Sequence, residues 1–404
     1  MNKMNKGLLS ALVLGAFSGT ASAAGFQLME QNASGLGNAF AGSAAVAENA
    51  STIYYNPAGM TQLKGANVSV GVDYITLKAD FKNGNSTGAL AGAQNRDGGD
   101  SAPVPNGYFS YQINDQWFVG VGLGAPFGMR TNYPQSWKGS YAAMDTDIQS
   151  ANLNPSVAYK VNDTVSLGLG LDYQLFRATY SQNAGPILGA FKVKGDSTEW
   201  GWNAGALFTL SESTRVGVSY RSKIDHHITG DWTASGIGAK GNASLDIKLP
   251  DTWIISGYHR LNDRWELLAD VSRTGWSSVP EILIKTPGFV TNQVRKDYSW
   301  TDTTRVALGA NYAVNDALKL KVGLAFDQSV VDDAHRTPRL PDQKRVWYSV
   351  GAQYKVTKTS AIDVGYAYIK ADKAKVNDPT SAGTLNGEYD SNVQVLGVQY
   401  SMNF

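Results

Sequence analysis

Residues 162–174 read NDTVSLGLGLDYQ. Val165, Leu167, Leu169, Leu171 and Tyr173 alternate with Ser166, Gly168, Gly170, Asp172 and Gln174. Side chains on a strand point alternately to its two faces, so one face here is apolar and the other polar or small. The Asn162-Asp163-Thr164 that precedes the run is a tight turn. Asn and Asp side chains bond the local backbone and tolerate left-handed geometry. Asp172 in mid-strand sits on the polar face, and the apolar face carries no charge. A soluble sandwich would also alternate. A charged face opposed to a purely apolar one instead describes a strand with lipid outside and a wet or plugged lumen inside.

The same pattern extends in both directions. Val68, Val70, Val72 and Tyr74 alternate with polar residues, as do Val346, Tyr348, Val350, Ala352 and Tyr354, and finally Leu396, Val398, Tyr400, Met402 and Phe404. Short turns recur at Asn114-Asp115-Gln116, Asn162-Asp163-Thr164, Ser211-Glu212-Ser213, Asn262-Asp263-Arg264, Asn315-Asp316-Ala317 and Thr357-Lys358-Thr359. Between successive turns there is room for two strands and one long loop. The long loops are expected near 84–103, 128–146, 182–196, 230–243, 285–297, 331–343 and 374–390. Six short turns join twelve strands, and one further strand lies at each end. The expectation is an all-β, fourteen-stranded antiparallel transmembrane barrel over residues 65–404. The alternation is least clean over 243–285, where Pro250 and Trp253 disturb it. Trp117, Trp265 and Phe404 are placed for an aromatic girdle near the short turns, and Trp137, Trp276 and Trp300 for one near the long loops.

Composition narrows the function. The 404 residues include no Cys, which removes disulfides, thiol nucleophiles and Cys-ligated metals. The 35 Lys and Arg balance 34 Asp and Glu, which gives no field for nucleic acid. Met1–Lys6 carries two lysines, Leu8–Phe17 is a short apolar core and Ala21-Ser22-Ala23 is a small-residue cleavage site. Residues 1–23 therefore read as a secretory signal peptide. Its removal leaves 33 basic residues against 34 acidic ones.

Residues 24–64 do not alternate. They are rich in Ala, Gly, Ser and Asn and carry Phe26, Leu28, Leu36, Phe40, Ile53, Tyr54 and Tyr55. Fourteen strands enclose a lumen that wall side chains alone do not fill. This segment is expected to be a hatch, or plug, inside it.

The segment GFQLMEQNASGLGNAFAGSAAVAENASTIYYNPAGM resembles the N-terminal hatch of the FadL-like outer-membrane transporters of long-chain fatty acids. Residues 249–277 and 339–354 resemble later strands of that family. The resemblance implies a fourteen-stranded barrel with a hatch, in the outer membrane of a Gram-negative bacterium. It also implies a motif at Asn56-Pro57-Ala58, a hydrophobic ligand, and a kinked third strand with a lateral gap near Ala125, Pro126, Phe127 and Gly128. Pro126 removes a ladder donor, so it either kinks that strand or ends it. Phe404 resembles the aromatic terminus read by barrel-assembly machinery, and such a barrel sits among outer-membrane lipid and lipopolysaccharide.

No catalytic constellation stands out, and no cofactor is implied. His226 and His227 are adjacent on a strand, so their rings face opposite ways and offer no shared metal site. Gly120-Val121-Gly122-Leu123-Gly124 lies in an alternating strand, which suits inward glycines beside the hatch better than a phosphate loop. Ile187, Leu188 and Phe191 in an outer loop are candidates for a hydrophobic capture groove. Arg215, Arg305, Lys319, Lys321 and Arg345 fall in inward registers, and Arg305 and Arg345 are the candidates for a ligand carboxylate. The leading expectation is passive transport of long-chain fatty acids or related hydrophobic compounds. A general diffusion porin is the main alternative, with a surface adhesin and an outer-membrane lipase behind it.

Overall fold

The structure is a computed structural model and describes residues 24–404. The expected signal peptide lies outside the described residues. Fourteen strands form one closed antiparallel barrel: β1 (Ala66–Asn83), β2 (Ser101–Gln112), β3 (Trp117–Gly124, resuming as Gly128–Asn132), β4 (Asp145–Lys160), β5 (Val165–Asn183), β6 (Ala190–Ser211), β7 (Thr214–Arg221, resuming as Ile224–Ala234), β8 (Ala239–Leu249, resuming as Thr252–Arg260), β9 (Trp265–Thr274), β10 (Thr303–Ala313), β11 (Leu318–Asp327), β12 (Arg345–Lys355), β13 (Ser360–Ala371, resuming as Ala374–Thr380) and β14 (Gly383–Asn403). Each pairs with the next. β14 closes on β1, from Asn403 opposite Asn67 to Gly387 opposite Asn83. No described helix is long and apolar enough to cross a membrane; strands make the crossing.

The six short turns form as their chemistry requires. Asn114, Asn162, Asn262 and Asn315 each accept two backbone N–H groups through Oδ1 at 2.8–3.0 Å. The apolar registers, including Val70, Leu169, Ile255, Leu308 and Leu324, are exposed on the outside of the ring. Trp117 packs against Tyr159 and Trp265 against Tyr312 at the turn end.

The outer end departs from expectation. Trp137, Trp276 and Trp300 are buried inside rather than placed on a girdle. The outer girdle is instead Trp200, Trp202 and Trp253, interleaved with Tyr173 and Tyr220. Several expected loops are strand. β6 starts at Ala190, β7 runs to Ala234 and β8 begins at Ala239, so only a four-residue turn separates the last two. These strands continue beyond the girdle into water. The alternation persists there with its sense reversed: Asp225, His227, Thr229 and Asp231 face outward while Ile224, Ile228 and Trp232 are buried inside, so a search for an apolar outer face reads these strands as loop. In the awkward 243–285 region, β8 breaks at Pro250-Asp251, and a small hairpin, Glu281–Lys285 with Gln293–Asp297, follows β9.

Residues 24–64 touch the wall on many sides. Ala33 N–H donates to Gln399 on β14, Asn38 to Asn311 on β10, Ser43 to Asp270 on β9 and Ala44 N–H to Ser256 on β8. Arg215 of β7 donates to Val46 O, Asn56 to Ala206 O on β6 and Thr61 to Ser166 on β5. The approach is backbone to backbone, and wall glycines allow it. A Cβ at Gly168 would collide with Ala58 N, at Gly205 with Asn56, at Gly217 with the Ala44 carbonyl and at Gly323 with Asn38. Gly120, Gly122 and Gly124 of β3 also face inward, toward Ile53, Met60, Tyr108 and Gln31.

Gly323→Val has no space to put its side chain and must displace residues 37–39. The strand ladder does not depend on that side chain. Limited proteolysis in detergent is expected to cut the variant within 24–64 at concentrations that leave the parent intact, with heat-modifiable migration of the barrel unchanged.

Candidate functional site

The sequence places Phe26 early in the segment that enters the ring, and a packed apolar cluster, termed the chamber, forms around it. Its ring centroid lies 4.9 Å from Trp276, 5.8 Å from Phe127, 5.8 Å from Trp300 and 6.5 Å from Phe176. Leu249, Val279, Tyr298 and Val330 complete the cluster. Gly25 has φ +69°, and a Cβ there would penetrate the Trp276 ring, so only glycine allows this entry. Above the chamber, a small cavity of about 30 Å³ is lined by Val193, Ile228, Ala243, Leu245 and Ile284. It leads to a second apolar cluster in which Phe191 stacks on Phe289 at 4.4 Å beside Trp232. Apolar side chains thus line the interior from the outer loops to Phe26.

The third strand is interrupted at this depth. Gly124 pairs with Asn152 and Gly128 with Gln149, so pairing with β4 stops and resumes. Pro126 therefore interrupts β3 rather than ending it. Residues 26–28 fill the break: Leu28 N–H donates to Pro126 O at 2.8 Å, and Gly128 N–H to Phe26 O at 2.9 Å. On the other side, β2 pairs with β3 only up to Gly107 opposite Leu123, so 101–106 have no register partner there. Ala125, Pro126, Phe127 and Gly128 lie at this break in pairing, and Phe127 packs on Phe26.

Charge collects on β10–β12. Arg305 and Arg345 both lie opposite Asp327 on the intervening strand, and all three are buried and face inward. Ala24 N–H donates to Asp327 Oδ2 at 3.0 Å. Arg345 is held by Asp342. Arg305 stacks over Trp347 at 4.9 Å and gives Nη2 to Ala39 O at 2.7 Å. Its Nε and Nη1 have no hydrogen-bond partner. Burial pushes the Glu30 carboxyl up to about 7, against the pull of Arg305 and Arg345. The other inward cations are committed: Arg215 to Gln62 and Val46, Lys319 to Glu266, and Lys321 to Ser34, Glu48 and Asp363. Of the five, Arg305 keeps two free donors in a buried site.

The connection between β11 and β12 covers the chamber. Arg339 lies 3.5 Å from the Tyr180 ring and donates to Thr146 at 2.9 Å, and Tyr133 donates to Pro338 O at 3.0 Å. Tyr133 also bonds Tyr389, and burial pushes its hydroxyl well above the usual phenol range.

The chain matches, over residues 14–404, the family described as "Outer membrane protein transport protein (OMPP1/FadL/TodX)". The chain belongs to this family. It is 33% identical over 463 residues to outer membrane protein P1 of Haemophilus influenzae, with 100% of this chain and 99% of that protein covered. It is 31% identical over 437 residues to a long-chain fatty acid transport protein of Escherichia coli, covering 98% and 97%. A Pseudomonas aeruginosa FadL homologue superposes with a TM-score of 0.86 at 26% identity, covering 94% of this chain and 100% of that one. The Pseudomonas putida toluene transporter TodX shares the fold at 17% identity and a TM-score of 0.68, covering 92% and 98%. Membership places the barrel in the outer membrane of a Gram-negative bacterium.

Against the sequence expectations, Arg305 and Arg345 come together. Ile187, Leu188 and Phe191 do not share a groove: Ile187 is 75% exposed at a loop tip, whereas Phe191 is buried in the outer cluster. Asn56, Pro57 and Ala58 are a structural pin. Asn56 Oδ1 caps Ala58 N–H at 3.1 Å, and its Nδ2 donates to Ala44 O at 2.8 Å and Ala206 O at 3.0 Å, with Pro57 opening the short helix Pro57–Gln62. The chamber of Phe26, Trp276 and Trp300 was not foreseen. The signal was there in aromatics flanking stretches that do not alternate.

Asn56→Ala removes three hydrogen bonds at a cost of about 3 kcal/mol, taking about 1 kcal/mol for each. Hydrogen exchange is expected to speed up at amides 44–60 while β5 and β6 amides stay protected.

Proposed function

We propose that this chain carries long-chain carboxylates, or closely related apolar molecules, passively across the outer membrane. The outer apolar cluster receives the ligand, and the chamber around Phe26 holds its tail. Burying about 0.8 kcal/mol per methylene makes transfer from water favourable. Arg305 meets the carboxylate. The observation that carries this is its pair of unpartnered buried donors, opposite the Asp327 whose carboxylate holds Ala24 of the chamber. The Escherichia coli relative is named a long-chain fatty acid transport protein, and TodX a toluene transporter.

Residues 24–64 act as the hatch, and release proceeds sideways through the break at Ala125–Gly128. Leu28 and Gly128 hold that break shut through two backbone hydrogen bonds, so withdrawal of residues 26–28 opens it toward lipid. An acyl chain leaving this way never crosses a water-filled pore. A general diffusion porin would need an open lumen, and the inward contacts of 24–64 speak against one. The reading is one of conduction and names no catalytic residue. Phe404, exposed at the turn end, is the contact for barrel-assembly machinery, and lipopolysaccharide surrounds the outer girdle.

Arg305→Ala is expected to weaken binding of a long-chain fatty acid by about 1.5–3 kcal/mol, or roughly tenfold to a hundredfold in Kd, leaving binding of the alkane of equal length unchanged. Equal losses for both would show that Arg305 only props the hatch. Deleting 25–60 is expected to leave a barrel that conducts ions in planar bilayers. A barrel that stays closed would remove the hatch from the mechanism.

A further inference from the structure

The ladder between β6 and β7 is broken. On the turn side it runs from Ser211 opposite Thr214 up to Asn203 opposite Arg221. On the outer side it runs from Asp196 opposite Thr229 to Phe191 opposite Ala234. Between these stretches, 197–202 and 222–228 have no register partner across the seam, and β7 spends one residue more than β6. Ser222 clasps the lower edge, giving its N–H to Trp202 O at 2.9 Å and accepting Trp202 N–H at 3.0 Å.

The position of the lapse is informative. Trp200 and Trp202 point outward on one side of it, and Trp253 stands two strands away, so its lower edge sits in the outer aromatic girdle. Lys223, Asp225 and Thr198 face outward just above. A gap in pairing is excluded deep in hydrocarbon, where amides have no other partner, but is affordable where headgroups and water reach it.

On the inside, two side chains make the seal. Ile224 packs into the space that Gly201 leaves bare. His226 bonds Ser197 Oγ at 2.7 Å and Gln174 at 3.1 Å. Immediately behind them is the chamber wall: the His226 ring is 5.1 Å from Phe176, and Ile228 belongs to the same cluster. Cavities flank the seal above and below. The upper one, about 30 Å³, meets Gly195, Ile228 and Gly230; the lower one, about 20 Å³, meets Asn203 and Arg221.

We infer that this lapse is a second lateral aperture, through which a single-chain carboxylate amphiphile dissolved in the outer leaflet enters the chamber. Its head stays at the girdle while its tail passes between Gly201 and His226. The aperture lies on different strands from the β3 break and serves entry instead of release. It rests on the reading that the chamber takes an acyl carboxylate, and it adds that the membrane, as well as water, supplies it.

The test uses a diazirine-bearing palmitate and the full-length mature protein in vesicles of lipopolysaccharide and phospholipid. In one arm the probe is dissolved in the bilayer beforehand; in the other it is delivered from water. Adducts are mapped by mass spectrometry. The bilayer arm is expected to label Phe176, His226 and Ile228. Ile224→Trp, which fills the lapse, is expected to abolish that labelling while labelling from water persists. Persistence of the water arm and of heat-modifiable migration shows that the variant is folded. Gly201→Val, which presses on Ile224 from the other strand, is the independent second variant. Inner labelling from the bilayer that survives both substitutions overturns the aperture, as does inner labelling from water alone; in either case the transport reading stands. Absence of inner labelling in both arms overturns the transport reading and the aperture with it.

Discussion

A strand in hydrocarbon can satisfy its amides only on another strand. That constraint forces the sheet to close, and closure is visible in the long register between β1 and β14. It also gives meaning to every place where pairing fails. The break in β3 is paired by residues 26–28, so segment and wall share hydrogen bonds that neither can abandon cheaply. A wall that must be saturated can be opened only by moving whatever saturates it.

The same economy shapes the interior. Wall glycines let a folded segment lie against the strands with no side chains between, and the registers place them side by side: Gly309 opposite Gly323, and Gly365 between Gly351 and Gly397. Polar groups on the wall then reach backbone on the segment, as Lys321 does at Ser34 O and Arg305 at Ala39 O. The chamber lies above this contact zone, where the wall becomes aromatic. Arg305 stands at the boundary of the two, with one nitrogen spent on the segment and two unspent.

The lipid-facing half of this architecture was legible in the sequence, because lipid imposes a strict period of two and because Asn at a turn bonds two amides wherever it occurs. The inward register of Arg305 and Arg345 followed from that period. The discontinuity at Pro126 was legible as well, though whether the strand resumed depended on Phe26–Leu28, a partner a hundred residues away. The outer projections of β6–β8 were not legible, since above the girdle the alternation reverses, polar outward and apolar inward, and no longer marks a lipid-facing strand. The roles of Trp137, Trp276 and Trp300 were misread for a related reason. An aromatic near a loop looks the same in sequence whether it faces lipid or the lumen, and only the ring contacts distinguish the two: Trp276 and Trp300 with Phe26, Trp137 with Phe81 and Tyr133.

The claim on which the account turns is that the saturated barrel keeps an apolar chamber with a cation at its edge. Native mass spectrometry of the protein, extracted from its own membrane in mild detergent and followed by identification of what it releases, addresses this most directly. The account predicts a retained single-chain carboxylate that Arg305→Ala protein lacks. Protein that emerges with its chamber vacant, or holding only polar solutes, would contradict it.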